Sequence, residues 1–343
     1  MVEFGGWELP VQFTSILDET RAVRSDAGLF DVSHMGRLDV RGDEQLPILQ
    51  ALLSRDLEKL DDSQAAYCML CNERGGVIDD LIAVRFSEDH FMLVVNASRL
   101  EADIDWMSQH DLVFEDVTAD TVMIAIQGPK AIDLISSCLG TMNNMDPHSL
   151  SSTIRRFGVN RIEQFVVLGT GYTGELGVEI ICPAKDGPAL WLALVREGIV
   201  PCGLGARDIL RLEAGLCLYG HELNEDVTPV EADLMGFVDL EKPHFTGKMA
   251  IEIKYAENLP WKRRGLILST RSAAREQAKV FAGGKEIGWV SSGAFSPMLN
   301  KAIAMAYLST SQCAIGDIVD VDIRGKHHGA KVVSLPFLPF GSG

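Results

Sequence analysis

The chain has 343 residues, with 31 basic against 48 acidic side chains and a formal net charge of −17 at pH 7. Its length predicts two or three domains with ample core, and 47% hydrophobic with 23% charged residues excludes a disordered chain. The acid excess argues against nucleic acid or an anionic membrane as partner, and no apolar run approaches the roughly 20 residues of a membrane helix.

The N-terminus, Met-Val-Glu-Phe-Gly-Gly-Trp, has no basic region and no Arg-rich stretch, so no signal or transit peptide is expected. After an irregular start, residues 15–24 read as a short amphipathic helix and 37–41 alternate as a strand. Residues 45–53 look helical. Strands follow at 65–71, 77–86 and 91–95, the first two joined by Glu73-Arg-Gly-Gly76, whose glycines supply the positive φ of a hairpin turn. Ser98 is placed to cap a helix over 99–109, which makes 46–118 a β-β-β-α module. Residues 122–126 form another apolar strand, and Gly128-Pro129 opens a helix with Pro at its first position. Strands at 165–168 and 178–182 flank a Gly-rich turn. Helices are expected over 189–197 and 205–213, and 236–262 reads as a mixed connector. From 264 onward, strands recur at 265–268, 279–281, 287–290, 302–307, 318–323 and 330–333, the pattern of a small β-barrel or sandwich.

The seven cysteines are an odd number scattered through apolar stretches, as expected of buried, reduced thiols. Cys68-Met-Leu-Cys71 matches C-x-x-C, but no second pair follows. Its strand-like alternation sends the two sulfurs to opposite faces, which argues against zinc. His34 lies in a loop-like stretch and, standing alone, reads as structural. His327-His328 reads as a surface hairpin turn. With no H-E-x-x-H, G-x-S-x-G or P-loop lysine, covalent and metal chemistry have no support.

Gly169-Thr-Gly-Tyr-Thr-Gly174 is a literal G-x-G-x-x-G after a strand. A dinucleotide site needs a helix next, yet Leu-Gly-Val-Glu-Ile-Ile is a strand, so the motif reads as a β-hairpin turn. Tyr172 then sits at the turn, and Glu179 projects from the returning strand among apolar neighbours. Pattern alone favours a solvated face for Glu179 over a ligand-facing one. In Val77-Ile-Asp79-Asp80-Leu-Ile, alternation puts the two acids on opposite faces, so one points inward or into a cleft. That pair is the best acid for chemistry, against a structural turn-binding role. Arg207 and Arg211 lie at i and i+4 on one helical face. Such a pair is tolerated if nearby acids answer it or an anionic ligand faces it.

Taken together, Phe4-Gly-Gly-Trp-Glu-Leu-Pro10, Phe30-Asp-Val-Ser-His-Met-Gly36, Gly75-Gly-Val-Ile-Asp-Asp-Leu81, Val95-Asn-Ala97, Gln127-Gly-Pro129, Gly171-Tyr-Thr-Gly-Glu175, Gly203-Leu-Gly-Ala-Arg-Asp208, Leu212-Glu-Ala-Gly215 and Ser292-Gly-Ala-Phe-Ser-Pro297 occur in order. In this register the chain closely resembles the T-protein family of the glycine cleavage system. The resemblance implies an α+β, three-domain, cloverleaf-like fold around a folate channel. A discontinuous first domain (1–45 and 119–235) would bind folate, an inserted α+β domain (46–118) would carry Asp80, 236–262 would connect, and 263–343 would form a C-terminal β-barrel. The implied activity is transfer of an aminomethyl carbon from the lipoyl arm of the H-protein to tetrahydrofolate. The products are ammonia, the dihydrolipoyl arm and 5,10-methylenetetrahydrofolate.

By the same resemblance, Asp80 falls on the family's essential acid, Glu179 on its pterin-binding Glu and Arg207 on its folate-contacting Arg. Tyr67, Asn96, Tyr172 and Met35 fall on positions lining the same pocket. The implied co-substrate is tetrahydrofolate and the partner the lipoylated H-protein, with no metal, nucleic acid or membrane, in a monomer. The implied location is cytoplasmic in bacteria and the mitochondrial matrix in eukaryotes. Some members carry a folate-contacting Tyr after a C-terminal Pro-Phe; here Ser342 offers no ring. An iron–sulfur-assembly relative would carry K-G-C-Y-x-G-Q-E where this chain has Gly-Thr-Gly-Tyr-Thr-Gly-Glu. A dimethylglycine or sarcosine dehydrogenase would need a flavin domain. Because folate is itself an anion, this acidic chain needs a local basic exception, expected at Arg207 with Arg211.

Overall fold

The computed structural model describes residues 1–143, 145–257 and 259–341; Ser342 lies outside them. It is a mixed α+β structure of two covered sheets and a closed barrel. One six-stranded sheet runs in the order Val159–Ile162, Phe165–Leu168, Gly177–Pro183, Thr121–Gln127, Gly28–Asp31 and Val200–Pro201, with only the last pair parallel. A five-stranded sheet is ordered Gln64–Cys71, Val77–Ser87, His90–Val95, Gly36–Arg41 and Glu115–Asp116. Toward the C-terminus, Trp261–Leu268, Lys301–Ser309, Lys285–Ser296, Lys279–Ala282, Ile318–Ile323 and Lys326–Val333 close into a barrel, which leaves no free sheet edge there. Among the described residues no helix is long and apolar enough to cross a membrane.

Period-2 alternation explains how the layers stack. In Thr121–Gln127, Ile124 and Ile126 face the core beneath the helices Ala131–Asn143 and Gly187–Arg196, which contribute Ile135, Leu139, Leu190 and Leu194. Met123 and Ala125 point the other way, into a core shared with Val84, Met92 and Val94 of the second sheet. The far face of that second sheet buries Leu38, Leu81 and Leu93 under the helices Gln45–Leu52 and Leu100–Gln109. The six-stranded sheet is therefore covered on both faces.

Several local expectations change. Ser98 does not cap the helix after it. The chain makes a turn in which Arg99 N–H donates to Asn96 O (2.9 Å), and the helix begins at Leu100 without a side-chain cap. The helix after Gly128-Pro129 begins at Ala131, because Gly128 has φ +137° and the chain turns there through Ala131 N–H to Gly128 O. Residues 327–328 belong to the strand Lys326–Val333 rather than to its turn. Within 236–262 the chain forms a helix, Lys248–Ala256, whose Ile251 packs with Phe245, Cys71 and Val77. Cys68 and Cys71 enter separate cores, as alternation along a strand requires, and all seven cysteines are free.

The turn before the two acids is tightly held. Gly75 has φ +81°, and Asn72 Oδ1 accepts from the N–H groups of Arg74 (2.9 Å) and Gly76 (3.0 Å). A Cβ on Gly76 would lie 1.8 Å from the backbone oxygen of Glu225. Gly76→Ala is accordingly expected to cost about 1–3 kcal/mol in urea denaturation, since backbone must move to admit one methyl group.

Candidate active site

Asp79 and Asp80 sit next to an irregularity in pairing: Leu70 faces Asp79 but Cys71 faces Val77, so Ile78 is the extra residue of a bulge. Beyond it, alternation sends Asp79 beneath the helix Leu100–Gln109, with its side chain fully buried. Asp80 points to the opposite face, the side of Tyr67. Tyr67 Oη donates to Asp80 Oδ2 (2.8 Å), and its ring meets Phe237 edge-on at 4.8 Å. Asn96, the residue after the strand His90–Val95, donates Nδ2–H to Asp80 Oδ1 (3.0 Å), Asp80 O (2.9 Å) and Asp79 Oδ1 (2.8 Å). Burial is the leading cause that lifts Asp80 to about 6, and the Tyr67 and Asn96 hydrogen bonds hold it back from rising further.

Glu179 lies on the face between the two sheets. Its neighbours Val178 and Ile180 enter the helix-covered core, while Glu179 pairs in register with Leu168 and Ala125 and is 7% exposed. The solvated face expected from pattern does not exist, because this sheet has no solvated face. Thr170 Oγ1 donates to Glu179 Oε2 (2.6 Å), and Oε1 has no hydrogen-bond partner among the described residues. Burial pushes the Glu179 carboxyl up, opposed by the Thr170 bond and the Arg207 charge.

The two arginines of the helix Leu204–Glu213 divide the alternatives between them. Arg211 is buried and committed: it pairs with Asp208 (2.8 Å) and Glu222 (2.8 Å) and donates to Ser292 Oγ (2.8 Å). Arg211 therefore fits the first of the two alternatives, a charge answered by nearby acids, although it also lines the cavity over Tyr172 and Arg207. The Arg207 guanidinium makes no hydrogen bond or ion pair among the described residues. Its guanidinium lies over the Tyr172 ring at 4.6 Å, and burial pushes its pKa down while Glu179 and Tyr172 oppose the shift. Tyr172 Oη donates to Cys217 O, and burial pushes the Tyr172 hydroxyl pKa well up, opposed by the Arg211 and Arg207 charges.

Thus Asp80, Tyr67 and Asn96 form one hydrogen-bonded group, and Arg207 stacks on Tyr172 with the Glu179 charge acting on it; of these six, Tyr172 and Arg207 line the cavity. Met35 is partly buried on the apolar core between the sheets, and its backbone oxygen accepts from Arg37. The cavity, of about 420 Å³, opens over Tyr172 and Arg207, bounded on the barrel side by Arg275, Ser292 and Gly293 and by Phe4 of the antiparallel N-terminal strands Val2–Phe4 and Trp7–Leu9. Sequence reasoning did not single out Arg275. It lies in a polar stretch over 60 residues from Arg207, and no local pattern announces that contact. Asp103 was missed as well, although an acid on the buried face of an amphipathic helix is a visible anomaly.

Residues 1–242 match the family described as the GCVT N-terminal domain, and residues 262–338 the glycine cleavage T-protein C-terminal barrel domain. An aminomethyltransferase of Geobacillus thermodenitrificans is 43% identical over 98% of this chain and 93% of its own length. One from Anoxybacillus flavithermus is 41% identical over 98% and 94%. The crystal structure of glycine cleavage system aminomethyltransferase T from Bartonella henselae superposes with a TM-score of 0.91 at 34% identity, covering 99% of this chain and 94% of that one.

Proposed function

The chain belongs to the glycine cleavage T-protein family, and from that membership we propose how its cleft performs aminomethyl transfer. It is an aminomethyltransferase: it moves the methylene of the aminomethyl group on the lipoyl arm of the H-protein to tetrahydrofolate. Tetrahydrofolate supplies two nitrogen nucleophiles. The carbon exchanges its bonds to sulfur and nitrogen for bonds to these, and the two protons released end on the dihydrolipoyl thiol and on ammonia.

The residues fit a pterin. Glu179 is a buried carboxylate with Oε1 unsatisfied, suited to accept the paired N–H groups of an amino-pyrimidine edge, each worth about 1.5–3 kcal/mol when charge-assisted. Arg207, uncommitted in an otherwise acidic chain, suits a carbonyl or carboxylate oxygen of the same ligand. Tyr172 lines the cavity, and Met35, on the apolar core between the sheets, would meet the ligand only at its inner end. Asp80, held by Tyr67 and Asn96, lies beside the reacting nitrogens, where its negative charge stabilises positive charge as it develops or accepts a proton. The observation that carries this reading is the buried Asp80 carboxylate, each of whose oxygens accepts from a fixed donor, Tyr67 Oη or Asn96 Nδ2. With the leaving group delivered on the H-protein arm, the chain's task is positioning and charge placement.

Ammonia release from aminomethylated H-protein, measured with and without tetrahydrofolate, tests the reading. Folate-stimulated release is expected; a protein that binds folate but gains no turnover from it overturns the proposal. Glu179→Ala is expected to raise the folate dissociation constant at least about tenfold in a calorimetric titration, the loss of one charge-assisted bond. The pH profile carries a sign. Burial raises the Asp80 carboxyl to about 6, so its ionised form predominates above that pH and is lost below it. Turnover should fall as pH drops through about 6, with a limb that is absent from Asp80→Asn.

A further inference from the structure

Behind Asp80 stands a second pair of acids to which the chemistry above gives no task. Asp79 and Asp103 are both fully buried. Asp79 Oδ2 accepts from Asn96 N–H (3.0 Å) and Oδ1 from Asn96 Nδ2–H (2.8 Å). Neither oxygen of Asp103 meets a protein N–H or hydroxyl donor among the described residues, and its contact is with the Asp79 carboxyl. Arg99 brings an opposing charge, but its guanidinium bonds go elsewhere: Nε to Ile78 O (2.9 Å) and an Nη to Glu225 Oε1 (2.9 Å), with the group stacked over Tyr219 at 4.7 Å.

Two bare carboxylates side by side in this dry pocket would repel strongly, whereas one proton between them turns the contact into a strong hydrogen bond. Asp103 lies in the first turn of the helix Leu100–Gln109, where the helix dipole favours the negative charge, so the proton rests on Asp79 and is donated to Asp103. Burial first, and then the other's charge for Asp79, lifts both above the usual carboxylate range.

The arrangement matters because of what Asp79 holds. The single NH₂ group of Asn96 serves acceptors on both acids, and a turned-over amide would set its oxygen against them. We propose that Asp79 and Asp103 share one proton and act as positioning residues, clamping Asn96 so that its amide fixes the orientation of the Asp80 carboxylate. This rests on the reading of Asp80 given above.

Infrared difference spectra at neutral to mildly alkaline pH test the shared proton without reference to activity. Wild-type protein should show a protonated-carboxyl C=O band that both Asp79→Asn and Asp103→Asn lose and Asp80→Asn keeps. Turnover tests the clamp. Asp79→Asn sets an NH₂ against one of Asn96's donors, and Asp103→Ala leaves Asp79 without its partner. Each should lower kcat about ten- to a hundredfold with the KM for folate little changed, the size of effect a small misplacement produces. Asp103→Asn, which can donate Nδ2–H to an ionised Asp79, should restore most of kcat although the band is gone. No band difference between wild type and the two Asn variants overturns the shared proton. Wild-type kcat in Asp79→Asn and Asp103→Ala overturns the positioning role, and Asp79→Asn decides the point alone should Asp103→Ala fail to fold. Full turnover in Asp80→Asn would instead remove the site reading while leaving the band in place, so the two failures are distinguishable.

Discussion

Asp80→Asn is expected to lower folate-dependent ammonia release by about a thousandfold, within the span assigned to positioned acid–base groups, while the folate dissociation constant stays within about threefold of wild type. The asymmetry follows from the proposed site: folate would be held by Glu179 and Arg207, to which Asp80 makes no hydrogen bond, whereas Asp80 is the carboxylate held by both Tyr67 and Asn96. Asparagine keeps the shape and loses the charge. The measurement is a pair: single-turnover kinetics with aminomethylated H-protein, and equilibrium binding of folate. Loss of binding in step with turnover would move Asp80 from chemistry to ligand capture, and full activity would remove it from the site.

The second large effect is on stability. Arg24 is buried and reaches Glu213 Oε2 through Nε (3.0 Å) and Nη2 (2.8 Å), and Glu175 Oε1 through Nη1 (2.7 Å), all three side chains at most 2% exposed. Glu213 also accepts from Ser296 Oγ of the barrel (2.5 Å), and its backbone oxygen receives the N–H groups of Phe337 and Leu338 from the C-terminal tail. One arginine thus neutralises two acids at the junction of the helix Leu204–Glu213, the Gly-rich hairpin, the barrel and the tail. Arg24→Met should destabilise the fold by about 3–5 kcal/mol, because it leaves buried carboxylates without their cation. Chemical denaturation measures it, and adding Glu213→Gln to Arg24→Met should return part of the loss. A change below 1 kcal/mol would show that the acids find water or another cation.

Local pattern was a good guide wherever a segment's own chemistry decided its form. The strands over 65–71, 77–86 and 318–323 follow from alternation, and Gly169–Gly174 reads as a hairpin because Gly177 and the β-branched residues after it cannot sustain a helix. Caps were less legible. Ser98 has the right side chain for an N-cap, but Asn96 is drawn to Asp79 and Asp80, and the turn it anchors starts the helix at Leu100.

Glu179 and the arginine pair mark the boundary most clearly. From the amino acids alone came the parity of Glu179 against Val178 and Ile180, the opposition of Asp79 and Asp80, and the need for a local cation in a chain of net charge −17. Parity says which residues share a face, and nothing about what covers it. The second sheet covers the face bearing Glu179, the helix Leu100–Gln109 brings Asp103 under Asp79, and Glu222 claims Arg211 and leaves Arg207 to the cleft. Each of those outcomes joins residues separated by 11 or more positions in the chain, some by more than 80. Local propensity acts within a turn or a strand, so burial and charge pairing at such distances are set only when the layers pack.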